Sequence, residues 1–148
     1  MPEEPTEIEV AYIAGLLEGE GTFLNKGLCP IIQVGMTDDD VIEKVADIIN
    51  IGNRRIHIQE DKRPKYKTKY IICLAGFDAF KWMKLIRPHM CSRRGKELDE
   101  IIETIIKYRP YIELGKDFCQ KCGESIRYEG EYWNRADGVK TCKRCQRV

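Results

Sequence analysis

No apolar run in this 148-residue sequence approaches the ~20 residues that a membrane-spanning helix requires, so no such span is expected. A basic leader is missing too. The chain opens Met1-Pro-Glu-Glu-Pro5, which is acidic, and an intracellular setting is expected, in a prokaryotic or phage-infected cell or in an organelle. Net charge is nearly absent, at +1. A disulfide framework is also disfavoured. The seven cysteines are an odd number, no export signal accompanies them, and four fall in two Cys-x-x-Cys pairs, a usage that favours metal. Bulk disorder is excluded, because 43% hydrophobic residues suffice for a packed core.

The small net charge conceals segregation. Residues 1–50 carry 11 acids and 2 bases, residues 51–96 carry 13 bases and 3 acids, and residues 97–148 are balanced. A basic centre in a neutral chain suggests one surface for a polyanion. On charge alone, a lysine-protected strand edge is an equal reading.

Residues 6–19 read as a helix. Thr6 and Glu9 form a capping box, and Val10, Ile13, Leu16 and Leu17 recur at helical spacing; Gly19 and Gly21 are expected to end it. Residues 22–36 read as a hairpin turning at Asn25-Lys26-Gly27, and Asp38 to Asn50 as a second helix burying Val41, Ile42, Val45, Ile48 and Ile49. Alternating residues 54–60 and 66–74 predict a second hairpin. Asp78 to Arg87 predicts a third helix, and Leu98, Ile101, Ile102, Ile105 and Ile106 a fourth, ended by Pro110. The order is α-β-β-α-β-β-α-α, an α+β domain over residues 1–110. A linker is expected at 111–117, and a module at 118–148 too small for its own apolar core.

Ala11, Gly15 and Gly19 stand four apart, so they form a smooth stripe along the first helix. A helix-interior glycine costs about 1 kcal/mol against alanine. Two on one stripe point to a closely approaching backbone, from a partner helix or from the chain's own sheet. Glu18 and Glu20 close this helix, where the macrodipole disfavours anions. A hard divalent cation would explain their placement.

The segment Ile13-Ala-Gly-Leu-Leu-Glu-Gly-Glu-Gly21 resembles the LAGLIDADG motif of homing endonucleases. All nine positions match if isoleucine, glutamate and glycine stand in for leucine, aspartate and alanine. The element order over residues 6–108 is similar as well. With one motif copy, the resemblance implies a homodimer whose motif helices pack through Ala11, Gly15 and Gly19. It implies that Glu20 is the catalytic acid holding Mg²⁺, or another divalent cation, at the scissile phosphates, while Glu18 is structural. The product would be a staggered double-strand cut in a long, near-palindromic DNA site. Of the basic segment Arg87 to Lys96, Arg93 best matches the basic residue that the family brings to its active site, with Lys96 as substitute.

In that family the two hairpins form a saddle in the DNA major groove. The resemblance makes Arg54, Arg55, His57, Gln59, Lys62, Arg63, Lys65, Lys67 and Lys69 the DNA-binding candidates of the second hairpin. Thr22, Asn25, Lys26 and Gln33 are those of the first. Lysines neutralise phosphates, whereas arginine, glutamine and asparagine read base edges. On the second hairpin, Lys65, Lys67 and Lys69 alternate with Tyr66, Thr68 and Tyr70 and are expected to give one basic face.

Cys119, Cys122, Cys142 and Cys145 follow C-x2-C-x19-C-x2-C, a spacing suited to one tetrahedral structural zinc in a ribbon-like module. The ribbon either grips flanking DNA with its basic surface or caps the last helix. Cys29, Cys73 and Cys91 have no such spacing and are expected to be buried thiols. Beside the endonuclease stand two alternatives on the same fold: a DNA-binding regulator, and an RNA-binding cofactor of intron splicing.

Overall fold

The computed structural model describes residues 4–49, 56–60, 62–63, 65–112, 119, 132–134 and 140–142. Helix α1, Glu7–Glu20, opens on the expected capping box. The Glu9 N–H donates to Thr6 Oγ1 at 3.1 Å, and the Thr6 N–H donates to Glu9 Oε2 at 2.8 Å. Gly19 does not end the helix, which runs on to Glu20 and passes directly into strand β1, Gly21–Lys26. One face buries Val10, Ile13, Ala14 and Leu17. Each large aliphatic taken from water contributes about 1.5–3 kcal/mol.

Strand β2, Cys29–Met36, pairs antiparallel with β1, from Gly21↔Val34 to Lys26↔Cys29. The turn is Gly27-Leu28, not Asn25-Lys26-Gly27. Both residues have positive φ, 56° and 67°, as a two-residue primed turn demands. A leucine in this left-handed conformation costs about 1–2 kcal/mol. Tertiary contacts offset that cost. Leu28 packs against the cluster of Phe80, Ile105 and Ile112, and its carbonyl accepts a hydrogen bond from the buried Arg109 guanidinium.

Helix α2, Asp39–Ile49, begins with Asp39 and Asp40 and buries Ile42, Val45 and Ala46, while Val41, Ile48 and Ile49 are only half-buried. The second hairpin is shorter than its alternation suggested. Strand β3 is His57–Gln59 and strand β4 is Lys69–Ala75. Of the three alternating lysines only Lys69 lies in a strand, so the expected basic strand face is not formed. Lys65, Tyr66 and Lys67 are exposed on both parities, and no burial holds that stretch extended. Helix α3, Phe77–Ile86, passes through a 3₁₀ turn, Arg87–His89, into helix α4, Ser92–Tyr108. Beyond α4, Ile112 is buried against Phe80 and Ile105.

The four-stranded antiparallel sheet has the order β1-β2-β4-β3, so the two hairpins meet at β2 and β4. Phe23, Ile32, Val34, Ile72 and Leu74 form the buried sheet face, in one core with side chains from α1, α2, α3 and α4. The other face has no element over it among the described residues. A separate antiparallel pair joins β5, Tyr132–Asn134, to β6, Lys140–Cys142. The cysteines outside the Cys-x-x-Cys pairs are not the buried thiols expected. Cys73 and Cys91 are exposed and Cys29 is half-buried, because Cys73 and Cys29 occupy outward strand positions and Cys91 precedes α4.

Candidate functional site

Glu20 is the last residue of α1, is exposed, and forms no ion pair among the described residues. No basic residue lies in the last turn of α1 to balance its dipole. Compensation comes from α4. Arg94 Nε donates to the Glu18 carbonyl at 3.1 Å, its Nη2 donates to the Gly21 carbonyl at 2.5 Å, and its Nη1 meets Glu97 Oε2 at 2.9 Å. The Arg94 guanidinium also lies 5.3 Å from the Phe23 ring centre. Arg94 thus satisfies one terminal helix carbonyl and the first carbonyl of β1, on either side of Glu20.

A second tie runs the other way. The Cys91 N–H donates to the Glu18 carboxylate, 3.3 and 3.4 Å from its two oxygens. Glu18 is therefore spent on holding the start of α4. Hydrogen bonding to that carboxylate, together with its charge, raises the Cys91 thiol above its ordinary value. The two ties bring the first turn of α4 against the end of α1. Arg93 and Lys96 are exposed on this turn and form no ion pair among the described residues.

Arg87, at the other end of the basic segment, is half-buried and already paired. Arg87 makes a two-pronged pair with Asp99, at 2.6 and 2.9 Å. A Cβ on Gly95 would come within 2.8 Å of Arg87 Nη1, so glycine there leaves room for the guanidinium to cross α4. The pair lowers the Asp99 carboxyl below its usual value, chiefly through the hydrogen bond.

On the uncovered sheet face, strand pairing aligns Thr22, Gln33 and Cys73 in one cross-strand row, and Leu24, Ile31 and Ala75 in the next. Gly35, Ile71 and His57 form a third row, and Gln59 pairs with Lys69. Lys26 falls on the same face at the first turn, whereas Asn25, opposite Pro30, has the other parity and is exposed near the hairpin end. A Cβ at Gly35 would meet Lys69 Cε at 2.7 Å, so the Lys69 stem lies flat across β2. Lys62, Arg63, Tyr66, Lys67 and Lys69 line an open depression of about 620 Å³ beside β3. There the Arg63 guanidinium stacks 4.2 Å from the Tyr66 ring centre. Lys65 is exposed on the same turn. Arg54 and Arg55 lie outside the described residues, as do Cys122 and Cys145. Cys119 is buried, and Cys142 ends β6. Among the described residues no three potential metal ligands cluster.

Ala11, Gly15 and Gly19 are all exposed, and a Cβ on either glycine would meet nothing within 4 Å. Packing against the chain's own sheet therefore does not explain these glycines. Ile8, on the same helix, is 82% exposed.

The residues that sequence reasoning missed are Arg94 and the Glu18–Cys91 tie. One signal was present, a helix closing on two glutamates without a cation in its last turn.

No family model matches the chain, and no curated protein does. Solved structures do. A homing endonuclease, I-TnaI, is similar with a TM-score of 0.51 at 13% identity, over 78% of this chain and 80% of that one. The homing endonuclease I-CvuI, in complex with the I-CreI target, matches 71% of this chain and 69% of its own at 13% identity and a TM-score of 0.47. An archaeal intron-encoded homing endonuclease, I-Vdi141I, complexed with DNA, matches 74% of each chain at 16% identity and a TM-score of 0.45. The likeness to I-TnaI establishes the fold, the α+β arrangement of two hairpins backed by helices that the sequence pattern predicted. No helix among the described residues is long and apolar enough to cross a membrane.

Proposed function

We propose that the chain is a site-specific DNA endonuclease of the LAGLIDADG type, acting as a homodimer on a long, near-palindromic site and leaving a staggered double-strand cut. The observation that carries this reading is the end of α1. An exposed carboxylate, Glu20, stands there without being neutralised, on a helix end tied down by Arg94 and Glu18 and directly before edge strand β1.

A hard, solvent-facing oxygen donor fits Mg²⁺ or a similar cation, and Glu20 from each of two subunits would hold it. When bound, the metal activates water and stabilises the leaving oxygen of a phosphodiester. The chain's residues do the remainder. Arg94 and the Cys91 amide fix the helix end that bears Glu20. Arg93 and Lys96 offer positive charge to the scissile phosphate from the adjoining turn. Lys26, Lys62, Arg63, Lys65, Lys67 and Lys69, with Arg54 and Arg55, neutralise backbone phosphates, and their spread along the hairpins sets the register on the duplex. Thr22, Asn25, Gln33, His57 and Gln59 supply polar contacts to base edges. Ala11, Gly15 and Gly19 form the joint with the second subunit. Cys119, Cys122, Cys142 and Cys145 would hold one structural zinc, for which four thiolates are a complete donor set.

The test is Glu20→Gln, with binding measured in Ca²⁺ and cutting in Mg²⁺. Cutting should fall by about 10³-fold or more, the scale of several kcal/mol of lost transition-state stabilisation. Affinity should change little, because the cationic hairpins are untouched. Undiminished cutting would end the assignment of Glu20. Binding without cutting by the wild-type chain would favour a regulator on this fold.

A further inference from the structure

We propose that the uncovered sheet face reads thymine methyl groups, and that Leu24 and Ile31 are the residues that meet them. The inference rests on the DNA-binding reading above. The cations of this face stand at its two ends, Lys26 by the first turn and Lys69 with the basic residues of the second hairpin. Between them no outward position in the rows of Leu24 and of Thr22 carries a charge. Pairing sets Leu24, Ile31 and Ala75 side by side across three strands. The core does not need this row. The same strands bury Phe23, Ile32, Val34, Ile72 and Leu74 on their opposite face. Leu24 and Ile31 are half-buried and belong to neither buried cluster, and Ala75 is exposed.

An apolar floor between two cationic ends calls for a polyanion that presents apolar groups in the middle. Among the groups on base-pair edges in the major groove, the C5-methyl of thymine is the apolar one. Guanine and cytosine edges offer only donors and acceptors, which leucine and isoleucine cannot satisfy. The neighbouring row of Thr22, Gln33 and Cys73 supplies the polar contacts beside the floor.

The experiment starts from a binding site selected by the full chain, in Ca²⁺, from a random duplex library. Each thymine of that site is then replaced by deoxyuridine, which removes the methyl and nothing else. At one or more positions in each half-site, affinity should fall about fourfold, the size of one methyl's transfer from water. In a Leu24→Ser, Ile31→Asn variant that penalty should vanish, whereas Lys67→Ala should weaken thymine and uracil duplexes alike. The DNA-side change does not depend on whether a variant folds. Uracil duplexes bound as tightly as thymine duplexes at every position would overturn the proposal and leave DNA binding intact. A penalty that persists in the variant would also overturn it. No enrichment of any duplex would overturn the DNA reading itself, and the apolar row would then be a protein contact.

Discussion

Two adjacent arginines meet opposite fates. Arg93 is exposed, while Arg94 turns inward with its side chain only 12% exposed and closes the end of α1. Successive helix positions differ by about 100° around the axis, and the sequence does not say where the neighbouring helix lies. The position of Glu20 at the end of α1 was legible because the segment that carries it is local. Arg94 was not, because its role is set by a contact across more than seventy residues. Replacing Arg94 by methionine should cost about 2 kcal/mol, since two carbonyls lose charged donors in a partly buried place. The thermal midpoint should drop by about 4–8 °C. Cutting should fall more than DNA binding in Ca²⁺; equal losses would argue that Arg94 supports only the fold. The Arg87–Asp99 pair gives a pH signature. The folded carboxyl of Asp99 lies below its unfolded value, so its contribution is present above that value and is lost as pH falls through the depressed one. Asp99→Asn should therefore be less stable than the parent at neutral pH. The gap should close in acid, below the ordinary carboxylate value of about 4. Denaturant melts at a series of pH values measure it.

At the scale of elements, the helices followed from periodicity and caps, and the strands followed less well. The capping box of Thr6 and Glu9 is a local signal, and the structure forms it. The first turn slipped because Leu28 has no local preference for positive φ; Arg109 and the Phe80 cluster impose it from outside the hairpin. In the second hairpin, alternation of lysine with tyrosine imitates a strand without a buried face to hold one. The union of β2 with β4 brings Lys69 over Gly35, a long-range pairing that sequence spacing does not reveal. Gly35→Ala should displace the flexible Lys69 stem while costing less than about 1.5 kcal/mol of stability. DNA affinity should fall, and the salt dependence of binding should flatten by about one phosphate contact. Unchanged affinity and salt slope would remove Lys69 from the proposed interface.

For the whole molecule, the sign of one substitution depends on whether a second chain is present. Within one chain, Gly15 has open space at its Cβ, so Gly15→Ala should raise the stability of a monomer by about 1 kcal/mol through helix propensity. Gly15→Leu should hold two helices apart and abolish association, as sedimentation would show. A wild-type chain that sediments as a monomer and binds an asymmetric site would refute the joint. Elemental analysis should find one zinc per chain. Its chelation should leave the helical signal of α1 to α4 unchanged, because their core has no thiolate ligand among its buried members. The charge segregation was legible at this scale, and the face that carries it was not, since that depends on how the hairpins join.

The bare stripe of α1 and the acid Glu20 belong to one fourteen-residue helix. On the proposed reading, the joint and the chemistry cannot be varied independently, and a lone chain holds only half a reaction centre. Turnover at low protein concentration would then be second order in the chain, so that halving expression cuts activity to a quarter. Dilution alone would act as the off-switch.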